Sequence, residues 1–226
     1  MSASRPDLNV VADPAVAVGD LLAEQAAKGG SIVLTGGGVG RAYDHAAARA
    51  PDWSHVVVWW GDERCVPPDD ELSNYRLAKE TLLDRLEAAP REVHRIRGEL
   101  PPEEAAAQLD RELADVTLDF LLLGLGPDGH VASLFPGSPQ LDVDDRRATS
   151  GPPGLDPYVE RVTMTMPVLR AARRIVFIVS GAEKSDAVAR AFGGDVSHDV
   201  PASLVRLAPV PVEVFLDEAA AQGLAR

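Results

Sequence analysis

Four apolar stretches of this chain show no polar alternation, and each runs into glycine and then into ionisable side chains. The first is Ile32-Val33-Leu34, followed by Thr35-Gly36-Gly37-Gly38-Val39-Gly40-Arg41. The second is Val56-Val57-Val58-Trp59-Trp60, followed by Gly61-Asp62-Glu63-Arg64. The third is Phe120-Leu121-Leu122-Leu123, followed by Gly124-Leu125-Gly126-Pro127-Asp128-Gly129-His130. The fourth is Ile175-Val176-Phe177-Ile178-Val179, followed by Ser180-Gly181-Ala182-Glu183-Lys184. A strand that is apolar on both faces must be covered on both faces, as in a parallel sheet flanked by helices. Helical periodicity separates the runs at Val16–Lys28, Arg41–Arg49, Ser73–Ala88 and Pro102–Leu113, and follows the fourth at Glu183–Phe192. In Ser73–Ala88, the residues Leu77, Leu82, Leu83 and Leu86 share one stripe. Val212–Leu216 reads as a late strand. The pattern predicts an α/β fold, a Rossmann-like parallel sheet covered by helices on both faces, with residues 1–226 as a single domain. Ligands bind such sheets beyond the carboxyl ends of the strands. The four polar clusters are therefore predicted to share one edge.

Charge and cysteine exclude several functions. Lys and Arg number 22 against 35 Asp and Glu, a formal charge of −13. That balance offers no broad electrostatic surface for nucleic acid or an anionic membrane, while leaving room for a local cation cluster that binds a small anion. Cys65 is the only cysteine, so no internal disulfide forms. The start, Met1 to Asn9, lacks the basic and apolar pattern of a signal peptide. The apolar runs are too short to cross a bilayer. A cytoplasmic protein is expected, as a monomer or weak homodimer. The segment Pro136–Asp156, rich in Pro, Gly, Asp and Ser, reads as a surface loop.

The clusters differ in what they say. The glycine loop can present bare backbone N–H groups to an anion at a helix start, or can be a flexible turn. It is not a Walker loop, because no Gly-Lys-Ser/Thr follows. Taken alone, Asp62-Glu63-Arg64 reads as a local ion-pair network. Cys65 reads as structural, since no paired His adjoins it in sequence. His130 is the sharpest candidate. It follows a tight Gly-Pro-Asp-Gly turn, and Asp128 two residues earlier is placed to orient an imidazole. Such a pair can act as a general base near neutral pH. Gly124, Gly126 and Gly129 match a dinucleotide fingerprint in spacing, but Pro127 removes a donor and Asp128 would repel a pyrophosphate. Lys184, in a first helical turn, opposes the helix dipole, which an anion would explain. Arg161 is a further anion candidate or a surface charge on a strand. The five histidines show no metal-ligand spacing, so neither metal nor cofactor is expected.

With these residues the chain resembles the 6-phosphogluconolactonase family, within the wider group that includes the glucosamine-6-phosphate deaminases. The carrying segments are Gly61-Asp62-Glu63-Arg64-Cys65-Val66-Pro67-Pro68, Ser73-Asn74-Tyr75, and Gly124 through Gly137 with its Asp128-Gly129-His130 and Ser133-Leu134-Phe135-Pro136. Arg161-Val162-Thr163, Gly181-Ala182-Glu183-Lys184 and Val200-Pro201-Ala202-Ser203 continue it in the family's order. Asp-Glu-Arg favours the lactonase branch over the deaminases, whose motif looks more like Asp-Glu-Tyr and whose His region continues Ile-Ala-Phe-Asn-Glu. One departure stands out. The family's first loop usually reads Ser-Gly-Gly-Ser-Thr-Pro, and here Gly38, Val39 and Gly40 replace its later residues, hydroxyls included.

The resemblance implies hydrolysis of a phosphosugar lactone, 6-phospho-D-glucono-1,5-lactone, to 6-phospho-D-gluconate. His130 would be the base, Asp128 its partner and Arg64 the stabiliser of negative charge. Gly37, Gly38, Arg161 and Lys184 would hold the phosphate, and Asp62 and Asn74 would contact the sugar. An amino-sugar phosphate deaminase or isomerase is the alternative. A non-catalytic sugar-phosphate sensor is a third reading, opposed by the presence of both Asp128 and His130.

Overall fold

The computed structural model describes residues 3–155 and 157–224 of the chain. Ten strands form two sheets: β1 Asp7–Val10, β2 Gly30–Leu34, β3 Val56–Trp60, β4 Asp62–Arg64, β5 Glu92–His94, β6 Phe120–Leu123, β7 Ala148–Gly151, β8 Arg161–Met164, β9 Ile175–Val179 and β10 Val212–Leu216. The larger sheet has seven strands in the order β1-β10-β9-β6-β2-β3-β5. Every pairing in it is parallel. The smaller sheet, β4-β8-β7, is antiparallel.

The expected parallel sheet flanked by helices is present, and its apolar runs are its centre. All residues of β3, β6 and β9 are buried. Their side chains join one hydrophobic core with the inner faces of α1 (Pro14–Lys28), α2 (Gly40–Arg49) and α4 (Pro102–Glu112). Asp13 starts α1 by accepting from the Ala15 N–H at 3.0 Å, with Pro14 in the first turn. Both are standard helix-start chemistry. β2, β3 and β5 lie on one side of the sheet, and β6, β9, β10 and β1 on the other. The order therefore reverses between β2 and β6, where a ligand crevice is expected. The four strands carrying the polar clusters are consecutive neighbours: β9, β6, β2 and β3.

Three readings need correction. The helix over Ser73–Ala88 stops early: α3 spans Asn74–Thr81, and a short 3-10 turn covers Leu83–Arg85. The stretch beyond is held elsewhere. The N–H groups of Glu87 and Ala88 donate to Pro51 O, and Trp53 N–H donates to Ala88 O. Those bonds keep residues 87–88 beside residues 51–53 and override local helical preference. The helix over Glu183–Phe192 changes winding, from a 3-10 turn at Ala182–Lys184 through an α turn at Ser185–Val188 to a π turn at Ala189–Gly193. Ala187, Val188, Ala191 and Phe192 are all buried across this change of winding. Pro136–Asp156 is not simply a surface loop. It holds β7 and a helical turn with buried Leu141, and Ala148 and Ser150 are buried against the neighbouring layers. Its alternation is too short and polar to stand out in sequence. Asp156 itself lies outside the described residues.

Candidate active site

β2 ends at a clamp. The Tyr43 phenol, reaching from α2, accepts from the Thr35 N–H at 2.9 Å and donates to Thr35 O at 2.6 Å. This stops the strand and launches the glycine loop. Gly37 has φ +81°, a backbone that favours glycine. A Cβ at Gly37 or Gly38 would meet nothing within 4 Å, so this stretch opens directly onto a cleft. The cleft has a volume of about 460 Å³.

β3 leads through Gly61 into β4. Side chains alternate across a strand, so Asp62 and Arg64 face one way and Glu63 the other. Asp62 and Arg64 line the cleft. Glu63 is 2% exposed and accepts from the N–H groups of Asn74 at 2.7 Å, Tyr75 at 2.8 Å and Arg64 at 2.8 Å, and from Ser73 Oγ at 3.0 Å. Burial pushes its carboxyl above the ordinary value, and the backbone donors oppose that shift. The triplet is thus not an ion-pair network. Among the described residues none of its three members forms a salt bridge, because Glu63 is satisfied by the start of α3 and Arg64 by the Leu72 carbonyl at 2.6 Å. Arg64 Nε and Asn74 Oδ1 are buried without a protein hydrogen-bond partner. Asn74 Nδ2 donates to Asp62 O at 3.0 Å, and Ser133 Oγ donates to Asp62 Oδ2 at 2.6 Å.

β6 leads into the turn that carries His130. Gly129 N–H donates to Gly126 O, and Gly126 N–H to His130 O, both at 3.0 Å. Asp128 Oδ1 accepts from the His130 N–H at 3.1 Å and sits 2.6 Å from His130 Nδ1. Burial raises the Asp128 carboxyl, but the hydrogen bond and charge of His130 outweigh burial, and the net position is below the ordinary value. An ionised carboxylate only accepts, so Nδ1 carries a proton, and in the neutral ring Nε2 is then the nitrogen with the lone pair. The Phe135 ring packs 4.6 Å from the imidazole. Ala132, which lines the cleft just beyond, has φ +49° and is the one non-glycine residue with positive φ among those described. Backbone of this kind is held by its surroundings, and such residues cluster at functional sites.

β8 and β9 complete the walls. Arg161 pairs in register with Arg64 across the two strands. It is 5% exposed, which overturns the reading of a surface charge. Its guanidinium donates to Pro157 O at 2.9 Å and Val159 O at 3.1 Å. Burial, then the neighbouring Arg64 charge, lower its pKa. Lys184 is half-buried and donates to Leu125 O at 2.8 Å, and burial lowers its pKa as well. His130, Arg64, Gly37, Gly38, Asp62, Asn74, Arg161 and Lys184 all line the one cleft, and Asp128 stands behind His130. Cys65 is outside it, with its thiol pushed up to about 11 by burial. Glu63 and Ser133 went unassigned in the sequence reading, although two-residue alternation in the Asp-Glu-Arg triplet would have turned Glu63 inward. Among the described residues no group of three His, Cys, Asp or Glu is arranged to hold a metal. No helix among them is long and apolar enough to cross a membrane.

This geometry coincides with relationships across the whole chain. The model of the glucosamine-6-phosphate isomerases/6-phosphogluconolactonase family matches residues 10–212. The chain belongs to that family. A 6-phosphogluconolactonase of Streptomyces coelicolor is 35% identical over an alignment of 243 positions, covering 97% of this chain and 93% of that protein. One of Mycobacterium tuberculosis is 37% identical, covering 87% of each. The solved 6-phosphogluconolactonase of Trypanosoma brucei superposes with a TM-score of 0.85 at 28% identity, covering 99% of this chain and 100% of that one. A monomeric glucosamine-6-phosphate deaminase superposes at a TM-score of 0.81 with 20% identity over 96% of this chain and 99% of that one, a likeness of fold alone. Family membership and the shared fold agree with the resemblance read from Asp62-Glu63-Arg64 and Asp128-Gly129-His130.

Proposed function

We propose that this protein hydrolyses 6-phospho-D-glucono-1,5-lactone to 6-phospho-D-gluconate in the oxidative pentose phosphate pathway. The observation that carries the reading is the meeting, in one cleft, of the Asp128–His130 pair with Arg64, Arg161 and Lys184. An ester carbonyl, a base and an anionic handle are what such a cleft can serve. The curated relatives over most of the chain bear the same activity in their names.

His130 Nε2 takes a proton from water as the oxygen attacks the lactone carbonyl. The carbonyl oxygen becomes negative in the tetrahedral intermediate, and Arg64 stabilises that charge. The bond to the ring oxygen then breaks, and the imidazolium returns its proton to that oxygen. The product is a carboxylic acid and a hydroxyl on one open chain. Asp128 holds the ring by Nδ1 and stabilises the imidazolium as it forms. Gly37, Gly38, Arg161 and Lys184 bind the phosphate, and this remote binding energy orients the carbonyl. Asp62 and Asn74 contact the sugar hydroxyls.

The whole chain acts as a single domain in the cytoplasm, as a monomer or weak homodimer. It needs no metal, nucleotide, nucleic acid or membrane. Deamination of an amino-sugar phosphate is the alternative. The position of Arg64 in the cleft, where the deaminases have a Tyr-type motif, favours the lactonase. The deciding experiment follows lactone loss against the uncatalysed background, beside ammonia release from glucosamine 6-phosphate. Acceleration of the first alone is expected. Ammonia release, or folded protein that accelerates neither, overturns the reading.

A further inference from the structure

The loop Gly36-Gly37-Gly38-Val39-Gly40 carries no side-chain donor, yet a cation stands at its end. Arg41 lies in the first turn of α2 and lines the cleft with Gly37 and Gly38. A cation there opposes the helix dipole, so local helix stability does not explain it. Its guanidinium is held by Asp13, with Nη2 2.6 Å from Oδ2, and the arginine side chain remains 73% exposed. Asp13 also lines the cleft, which puts a negative charge in the wall of a site read as binding a phosphate.

We propose that Arg41 is a phosphate-binding residue of this cleft, and that Asp13 is the counter-ion it leaves when a phosphate monoester arrives. The proposal rests on the phosphorylated-lactone reading and adds a residue to it. Arg161 and Lys184 are each held by backbone carbonyls rather than by an exchangeable carboxylate. Arg41 has one carboxylate partner and a solvated side chain, so it can exchange that partner for a dianion with three acceptor oxygens. The exchange leaves Asp13 satisfied, because the same carboxylate still accepts from the Ala15 N–H at 3.0 Å. Without Arg41, Asp13 would repel the phosphate. The missing loop hydroxyls are thus replaced by a side chain rather than by bare backbone alone.

The two partners predict opposite signs. Inorganic phosphate is titrated calorimetrically into the wild type, Arg41→Gln, Asp13→Asn and the double variant. Asn is as good a helix cap as Asp, so α1 keeps its start. Arg41→Gln is expected to weaken phosphate binding about tenfold, the scale of one charge-assisted contact. Asp13→Asn is expected to tighten it roughly two- to fivefold, the scale of an exposed ion pair. The kcat/KM ratio of phosphorylated to plain gluconolactone should move in the same directions. Phosphate affinity unmoved in Arg41→Gln, weakened in Asp13→Asn, or absent from the wild type overturns the proposal. A merely structural pair would lower Tm alike in both variants and leave phosphate affinity unchanged. If phosphate binding follows Arg41 but no lactone is hydrolysed, the lactonase reading fails and this inference stands.

Discussion

The Asp128 carboxylate and the His130 imidazole lie 2.6 Å apart, and the same Oδ1 accepts the His130 backbone N–H at 3.1 Å. One oxygen therefore fixes both the position of the residue and the direction of its ring. His130→Ala is expected to lower kcat by about 10²–10⁴-fold, the range of a positioned acid–base group, with a smaller change in product binding. Asp128→Asn removes the acceptor-only partner and frees the ring to take the wrong tautomer. It should fall in the same range on kcat. Steady-state kinetics beside thermal melts check both, and a lost Tm with kcat retained in the folded fraction would contradict them.

Gly126→Ala places a methyl group inside the van der Waals reach of the His130 ring. The ring must rotate away from Asp128. Activity is expected to drop toward that of His130→Ala while phosphate affinity holds, since Lys184 and the glycine loop are untouched. Titration of inorganic phosphate into the inactive variant distinguishes this from general unfolding.

Glu63 never reaches the cleft, yet it ties β4 to the start of α3 and so sets where Arg64 and Asn74 stand. Glu63→Gln replaces one accepting oxygen by a donor facing N–H groups. The cost in stability is expected at about 1–3 kcal/mol, the scale of a buried unsatisfied group. The surviving folded enzyme should lose kcat more than it gains KM. Denaturant unfolding and kinetics on the same sample test the two parts, and full activity per folded molecule would show that Arg64 does not depend on this anchor.

Burial lowers the Lys184 pKa from its ordinary 10.5. A lysine so shifted is charged below its folded pKa and loses its charge as pH rises through it, earlier than an exposed lysine would. Affinity for 6-phosphogluconate should therefore decline on the alkaline side before 10.5 is reached, the ordinary lysine value. Lys184→Arg should move that decline to higher pH. Calorimetric binding across the alkaline range is the measurement, and an unchanged limb in Lys184→Arg would remove Lys184 from phosphate binding.

Much of this site could be read in the sequence because buried parallel strands leave an unambiguous signature. Val56–Trp60 and Ile175–Val179 are apolar at every position, so their ends, and the charged residues beyond them, are marked. β4, β7 and β8 left no such mark. They have three or four residues each and none is apolar throughout: β4 is wholly charged, and β7 and β8 mix polar with apolar positions. The burial of Arg161 was hidden as well, since its carbonyl partners at 157 and 159 lie in an irregular stretch with no periodic pattern. Helical periodicity over Ser73–Ala88 was real as far as Thr81, and tertiary bonds from 51–53 decided the rest.

The reversal of strand order between β2 and β6 divides the walls of the cleft by synthesis as well as by space. Asp62, Arg64 and the glycine loop come from the first third of the chain, while His130, Arg161 and Lys184 come from the part beyond residue 120. On the proposed reading the early wall holds no base, and the late wall brings one on the turn after β6, which pairs beside β2 with Ile32 against Phe120 and Val33 against Leu121. On that reading a fragment ending before residue 120 carries groups for the anion but none to activate water.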